Sequence, residues 1–308
     1  MVNYGIGIDL GGTKLSAALM DENGQIFSRH DSLLSKKQGD EVGNLIITTI
    51  QNLIEELPEG VSFSGIGISV PGIVQRATGR IWAPNIPGWT DYPLPERLNE
   101  SLGKRSPTVR IESDRTCYIL GETWKGIAKG LQDAIYLSVG TGIGAGILSG
   151  GTIIRGHEGI AGAVGWMALS TRFRKDFKSC GNFEFQASGS GMVRFANQLV
   201  PMGGKTFKDA PALFSAFEQG HPVAKRVMRE AVRAWGKSVA NLVSVFNPSM
   251  IIFGGGIFGP AAQFLPEILR EATLWAQPIS MSHVSIGISS LKGDAGLLGA
   301  GRLSFKEK

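Results

Sequence analysis

Cysteine is nearly absent from this chain of 308 residues, which has only Cys117 and Cys180. Two such residues exclude a disulfide framework and contain no Cys-x-x-Cys metal site. They fit a reducing compartment, and a cytoplasmic protein is expected. Charge is also sparse: charged residues make up 19% and the formal balance is +5. Lys and Arg are scattered apart from a loose cluster at Arg172, Arg174, Lys175 and Lys178, read as a solvated loop. The concentrated basic face of a nucleic-acid binder is therefore missing. No uninterrupted apolar run approaches membrane-spanning length. The first apolar run is broken by Asp9 and has neither the basic region nor the cleavage site of a signal peptide. Neither a membrane nor a nucleic acid is expected as a partner.

What the chain does have is apolar residues (43%) and glycine (43 of them). The length suits two domains with a sizeable core. The glycines concentrate where strands reverse. Ile6-Gly7-Ile8-Asp9-Leu10 breaks into Gly11-Gly12-Thr13-Lys14 and resumes as Ser16-Ala17-Ala18-Leu19-Met20. Such a hairpin tip exposes backbone N–H groups that approach phosphate oxygens closely, because glycine has no side chain in the way. Thr13 adds a hydroxyl and Lys14 a positive charge. Asp9 stands where a magnesium ion would be held, directly or through water. Read alone, the segment is equally an ordinary turn.

A second segment repeats the pattern: Ile135 to Val139, then Gly140-Thr141-Gly142-Ile143-Gly144, then Ala145 to Leu148. It is not a dinucleotide fingerprint, which needs a helix after the glycines, nor a Walker loop, which needs Gly-Lys-Ser/Thr. Two phosphate hairpins in tandem halves suggest a nucleotide gripped between two similar domains. The remaining pattern fits: a third strand near 25–30, a helix over 42–57 with Val42, Leu45, Ile46, Ile50 and Leu53 on one face, and strands at 63–70 and 109–112. A structured loop is expected over 79–92. A helix is expected from Ser113-Asp114 to about 129, either residue serving as its cap. After the second hairpin come an irregular stretch over 150–190, helices near 191–199, 210–219, 223–246 and 260–276, strands at 250–253 and 284–288, and a closing helix after 293–296. Both halves open with strands around a glycine hairpin, so structural duplication is a hypothesis.

Taken in order, these pieces resemble the ROK group of sugar kinases and repressors, within the actin/hexokinase superfamily, over nearly the whole chain. Asp9-Leu10-Gly11-Gly12-Thr13-Lys14 and Gly140-Thr141-Gly142-Ile143-Gly144 resemble its two phosphate motifs. Val70-Pro71-Gly72 and Ala83-Pro84-Asn85-Ile86-Pro87-Gly88-Trp89 resemble its sugar loops, and Asp114 with Gly121-Glu122 its catalytic helix. Gly254-Gly255-Gly256 resembles its adenosine loop, and Asp294-Ala295-Gly296-Leu297-Leu298-Gly299-Ala300 its terminal segment. The resemblance implies an α/β protein of the two-lobed actin-like ATPase (ribonuclease H-like) fold, with ATP and sugar in the cleft. The expected domains are a small α/β domain, 1–112 plus 292–308, and a large one, 113–291. A homodimer, ATP and Mg2+ are further implications.

On this reading Asp114 is the base that takes the attacking hydroxyl's proton; without the resemblance it is a helix cap. Asn85 and Glu184 would pair with sugar hydroxyls, whose lost water must be replaced by hydrogen bonds. Glu184, in Phe183-Glu184-Phe185-Gln186-Ala187-Ser188-Gly189, could instead be a surface helix residue. Pro71, Gly72 and Ser113 complete the acceptor set. The family pattern Ala-Gly-Glu-x-Gly-His is here Ala161-Gly162-Ala163-Val164-Gly165-Trp166, which removes a carboxylate and an imidazole from the sugar's first two carbons. His157 or Glu158 could restore those contacts. The zinc cysteines are also missing: Cys180 precedes Gly181, and Asn182 takes the last cysteine position. No structural zinc is expected, with Phe173, Phe177 and Phe183 packing that loop instead. Ser113 replaces the family's asparagine. The expected activity is ATP-dependent phosphorylation of a hexose, amino sugar or cyclitol. A non-catalytic nucleotide or sugar sensor is the alternative. A sugar-responsive regulator is a further one, disfavoured because only a few residues precede the first hairpin.

Overall fold

The computed structural model describes residues 2–103 and 107–305. The chain forms two compact units. The first comprises Met1–Gly130, Arg155–Ala161 and Ser290–Lys308; the second comprises Leu131–Ile154 and Gly162–Ser289.

The first unit opens with the expected hairpin, β1 (Asn3–Leu10) and β2 (Lys14–Asp21), followed by β3 (Ile26–Leu33) and α1 (Asp40–Glu55). Then come β4 (Ser62–Val70), a short ribbon of β5 (Ile73–Val74) and β6 (Ile81–Trp82), α2 (Leu94–Leu102), β7 (Val109–Ser113) and α3 (Asp114–Lys125). The sheet order is β3-β2-β1-β4-β7. The first three strands are antiparallel neighbours, whereas β4 and β7 join parallel. Val42, Ile46, Ile50 and Leu53 of α1 are buried on one sheet face with Ile6, Ile8 and Leu19, as the helical spacing predicts.

The second unit contains β8 (Ala134–Val139), β9 (Ile143–Ser149) and β10 (Thr152–Ile153). Helices α4 (Phe177–Cys180), α5 (Asn182–Ala187), α6 (Gly189–Leu199), α7 (Ala210–Glu218) and α8 (Pro222–Phe246) follow. Next are β11 (Met250–Gly254), α9 (Leu265–Trp275), α10 (Pro278–His283) and β12 (Ser285–Ile288). Its order, β10-β9-β8-β11-β12, repeats that of the first unit: an antiparallel meander, then two parallel strands. The duplication suggested by the paired hairpins thus appears as matching topology. The core of this unit forms around Trp235, Phe183, Phe253 and the apolar side of α8.

The last helix, α11 (Ala295–Ser304), returns to the first unit. It lies close on β1 and β4 because glycines meet there: a Cβ on Gly7 would stand 2.6 Å from Gly301 N, and one on Gly67 would overlap the Ala300 carbonyl. Helix α3 packs on α11 the same way, with Gly121 against the Ala295 carbonyl and Gly299 against that of Cys117. This packing puts α3 in the first unit, which ends after Gly130 rather than at residue 112. The second unit ends at Ser289. The polar chain end, 306–308, lies outside the described residues. Among the described residues no helix is long and apolar enough to cross a membrane.

Candidate functional site

In the first unit the C-terminal ends of three parallel strands collect the predicted residues. Strand β1 delivers Asp9 and the tip Gly11-Gly12-Thr13-Lys14; β4 delivers Pro71 and Gly72; β7 delivers Ser113 and Asp114. The register fixes this grouping, since Asp9 pairs with Ser69, Ser69 with Glu112, and Val70 with Ser113. Carboxyl ends of parallel strands are where open α/β sheets present ligand sites. The hairpin closes through Gly11 N–H donating to the Lys14 carbonyl at 2.8 Å, which leaves Gly12 and Thr13 exposed at the tip. Asn85 joins this group: a Cβ on Gly12 would meet Asn85 Cβ at 3.6 Å. Gly72 is required where β6 approaches, because any side chain would overlap the Trp82 carbonyl.

Asp9 accepts a hydrogen bond from Ser69 Oγ at 2.6 Å. Burial raises its pKa, the Ser69 bond and Lys14 oppose the rise, and Asp294 adds to it. A carboxylate so placed lacks positive charge, and a hard cation carried with phosphates would supply it. Among the described residues no group of three or more His, Cys, Asp or Glu is arranged to hold a metal ion. The lone carboxylate still fits magnesium, which keeps most of its shell as water and phosphate oxygen. Lys14 is not free in the hairpin. Its Nζ lies 3.1 Å from Asp31 Oδ1. Asp31 also accepts from Ser16 Oγ at 2.6 Å and from Arg29, and these contacts, that of Ser16 foremost, hold it down at about 2.

Asp114 opens α3 and is partly buried. Its Oδ1 accepts from the backbone N–H of Arg115 at 2.8 Å. Burial pushes its carboxyl up to about 6; Arg115 opposes and Asp9 reinforces the rise. That value suits a group that must take a proton near neutral pH. Ser113 is buried and spends its hydroxyl on the helix start, accepting from Thr116 N at 3.4 Å. Of the two residues weighed as the cap, Ser113 is therefore the cap, and the Asp114 carboxylate takes the Arg115 N–H and a hydrogen bond of Tyr118 instead.

His157 and Glu158 lie in the returning segment 155–161 and are exposed, facing each other at 3.1 Å. That segment is fixed to the first unit by Arg155, 2.7 Å from Glu112, and by Arg76 donating to the Gly156 carbonyl at 3.2 Å. Neither anchor was signalled by the sequence, which reads 150–190 as one irregular stretch.

The second unit assembles its own set. Gly140 N–H donates to the Gly142 carbonyl at 2.9 Å to close the second tip. The segment carrying Glu184 fastens this tip from below. Glu184 Oε2 accepts from Ile143 N at 2.7 Å, Gly189 N–H donates to the Gly140 carbonyl at 2.8 Å, and Ser190 Oγ donates to the Thr141 carbonyl at 2.6 Å. Glu184, expected to face sugar, thus has one oxygen committed to the phosphate hairpin. Burial raises its pKa against the pull of that N–H and of Arg194. Gly254 ends β11 opposite Ser138 of β8, and Gly255 and Gly256 follow it. Gly255 has φ +86°, and a Cβ on it would stand 2.5 Å from the Val139 carbonyl, so only glycine fits.

The loop that the resemblance associates with zinc is tied by side chains. Asn182 Oδ1 accepts from Leu169 N (2.6 Å) and Ser170 N (3.0 Å), and its Nδ2 donates to Ser170 Oγ (2.8 Å). Arg174 is no solvated cluster member: its guanidinium lies 4.9 Å from the Phe185 ring and 6.0 Å from those of Phe177 and Phe195. Phe173 and Phe177 do pack together, at 6.0 Å. Phe183 instead enters the main core, because positions two apart on α5 face nearly opposite ways and Phe185 is the one that meets Phe177.

Two α/β units with the same strand order, each offering a glycine hairpin at the carboxyl ends of its strands, define the actin-like ATPase fold. Comparison with known proteins narrows this. The ROK family model matches residues 5–307, and the chain belongs to that family. It is 32% identical to a glucokinase of Thermotoga maritima over 98% of this chain and 97% of that one. The structure of a ROK hexokinase from Thermus thermophilus is similar, with a TM-score of 0.81 and 30% identity over 98% of this chain and 97% of that one. A ROK family glucokinase from Streptomyces griseus, solved in complex with glucose and AMPPNP, matches at a TM-score of 0.73 and 29% identity, covering 97% of this chain and 98% of that one.

Proposed function

We propose that this protein is an ATP-dependent carbohydrate kinase that transfers a phosphoryl group to a hydroxyl of a sugar or sugar-like acceptor. The observation that carries the reading is Asp114: a partly buried acid with a raised pKa, at the same sheet end as the exposed glycine hairpin and the Asn85 loop. The glucokinase names of its relatives, and the sugar and nucleotide analogue held by the Streptomyces griseus protein, support it.

In the proposed reaction the backbone N–H groups of Gly11, Gly12, Thr13, Gly140, Thr141, Gly142 and Gly144 cradle the phosphates. Gly254, Gly255 and Gly256 leave room for the adenosine. Asp9 would hold magnesium, directly or through water, and the ion would supply positive charge to the phosphate oxygens. Lys14 stays oriented by Asp31. Asp114 accepts the proton of the acceptor hydroxyl as the oxygen attacks. Pro71, Gly72 and Asn85 shape the acceptor side, with Glu184, His157 and Glu158 as further acceptor contacts. Ser113 acts by capping α3 and so fixing Asp114. Because Ala163 and Trp166 replace a carboxylate and an imidazole, the acceptor differs from glucose around its first two carbons. A homodimer in the cytoplasm completes the proposal.

The test is ADP release across a panel of hexoses, amino sugars and cyclitols, with Asp114→Asn alongside. The expected result is turnover with some members of the panel, lost by orders of magnitude in the variant while nucleotide binding persists. Near-normal turnover of Asp114→Asn would remove that residue from the mechanism. Nucleotide binding without turnover on any acceptor would favour the sensor reading.

A further inference from the structure

The strand register sets three side chains in a row on one face of the first sheet. Asp9 of β1 stands opposite Ser16 of β2, and Ser16 stands opposite Asp31 of β3. The start of α11 meets the Asp9 end of this row, since a Cβ on Gly296 would stand 2.5 Å from Asp9 Oδ2. Arg29 lies two residues from Asp31, on the same side of β3. Strand β3 is at the sheet edge. Asp31 is nevertheless held on both oxygens. Its Oδ1 accepts from Ser16 Oγ at 2.6 Å and lies 3.1 Å from Lys14 Nζ, while its Oδ2 accepts from Arg29 Nε at 3.0 Å. Arg29 is fixed in turn: Nη1 donates to Asp294 Oδ2 at 3.1 Å, and Nη2 lies 3.0 Å from Asp294 Oδ1. Asp294 stands at the N-cap of α11, yet its side chain caps no helix N–H and gives both oxygens to Arg29. The chain Lys14–Asp31–Arg29–Asp294 thus ties the first glycine hairpin to the helix end that touches Asp9.

These side chains are a third to a half exposed, and ion pairs so exposed contribute little to stability. What they fix is direction, because a forked guanidinium on a carboxylate orients both groups. We propose that Arg29 is a positioning residue for the nucleotide phosphates: by clamping Asp31 to Asp294 it holds Lys14 at the hairpin, where the ammonium charge meets phosphate oxygens. The proposal rests on the kinase reading and extends its nucleotide side to a residue outside the glycine motifs. Arg29 acts through Asp31 and Lys14 rather than by contact with phosphate. With Gln in its place, Asp31 Oδ2 loses its charged donor, the carboxylate turns about its own bond, and Lys14 is free to leave with it.

The experiment titrates the full chain calorimetrically with AMPPNP plus magnesium and, separately, with adenosine, which has no phosphate. The proteins are the wild type, Arg29→Gln, Arg29→Lys, Asp31→Asn, Lys14→Met, and Arg29→Gln combined with Lys14→Met, each checked for folding by a thermal melt. Arg29→Gln should weaken AMPPNP binding about threefold to tenfold, with Arg29→Lys between it and the wild type and adenosine unaffected. Asp31→Asn, which breaks the chain one link further on, should weaken AMPPNP by a similar factor. In the Lys14→Met background the Arg29 substitution should have little further effect, because residues acting through one another are not additive. An AMPPNP affinity unchanged in Arg29→Gln overturns the inference and leaves the kinase reading standing. So do equal losses for AMPPNP and adenosine, or full additivity of the Arg29 and Lys14 substitutions. Failure of the wild type to bind AMPPNP at all overturns the kinase reading and this inference with it.

Discussion

Replacing Asp114 by Asn is expected to make the protein more stable at neutral pH while stopping turnover. Asp114 titrates near 6 in the folded chain because burial disfavours its charge, and because Asp9 repels it. In the unfolded chain an aspartate titrates near ~3.9. Between these values the native state holds a proton that the unfolded state has released. The native state then binds more protons, so stability falls as pH rises from about 4 to about 6 and stays lower above that. Roughly two pH units at about 1.4 kcal/mol each set a ceiling of about 3 kcal/mol. Partial access of water to the carboxylate reduces the expected penalty to about 1–2 kcal/mol. Asn removes the charge and keeps an oxygen to accept the Arg115 N–H. Denaturant or thermal unfolding of both proteins at pH 4 and pH 7 checks this. The variant should gain stability at pH 7, by a few degrees in Tm, and match the wild type at pH 4. A variant that is no more stable at pH 7, or that gains equally at both pH values, would refute the argument from burial. In the wild type, kcat/KM should fall below about pH 6 as the same group takes up its proton.

Three further outcomes follow from other contacts. Glu184→Ala leaves the Ile143 N–H without its 2.7 Å acceptor, and the nucleotide KM should rise about tenfold as the second hairpin loosens, checked by ATP titration of turnover. Gly296→Ala places a Cβ 2.5 to 2.7 Å from the Asp9 carboxylate atoms, so Asp9 must shift and half-maximal activity should need several-fold more magnesium; an unchanged magnesium titration would separate Asp9 from the metal. Asn182→Ala strands the Leu169 and Ser170 N–H groups and should cost about 2–4 kcal/mol in denaturant unfolding.

The fold was legible where one rule governs. The two hairpins follow from glycine between apolar runs, and the 3.6-residue spacing of Val42, Ile46, Ile50 and Leu53 draws α1 in place. Helix α2 escaped notice because only Leu94 and Leu98 of its nine residues are buried. The expected helix over 260–276 is split: 3-10 turns cover 256–258 and 260–264, and α9 begins only at Leu265. Pro266 carries the reason, since proline suits a helix's first turn and restricts the residue before it. The proline stands in the sequence, but the longer apolar pattern around it reads as one continuous helix. The boundary after Gly130 was not readable in the same way. It depends on glycines of α3 and α11, far apart in the chain, meeting each other.

The candidate site divides along the same line. Backbone features such as the glycine tips and the acid at the start of α3 are local, so sequence reports them. The partners that set each group's charge are not: Ser69 for Asp9, Asp31 for Lys14, and Glu112 for Arg155 come from other strands or segments. The loop that lacks zinc cysteines makes the point most clearly. A metal announces itself by ligand spacing, because its geometry demands several residues of one kind. Asn182 does comparable tethering through three bonds to residues 169–170, and Arg174 through rings arriving from α4, α5 and α6. Each such bond contributes about 1 kcal/mol rather than the larger free energy of a metal clip, so several must act together. They leave no pattern in the chain, because any residue type with a donor or a ring will serve once the backbone has brought it near.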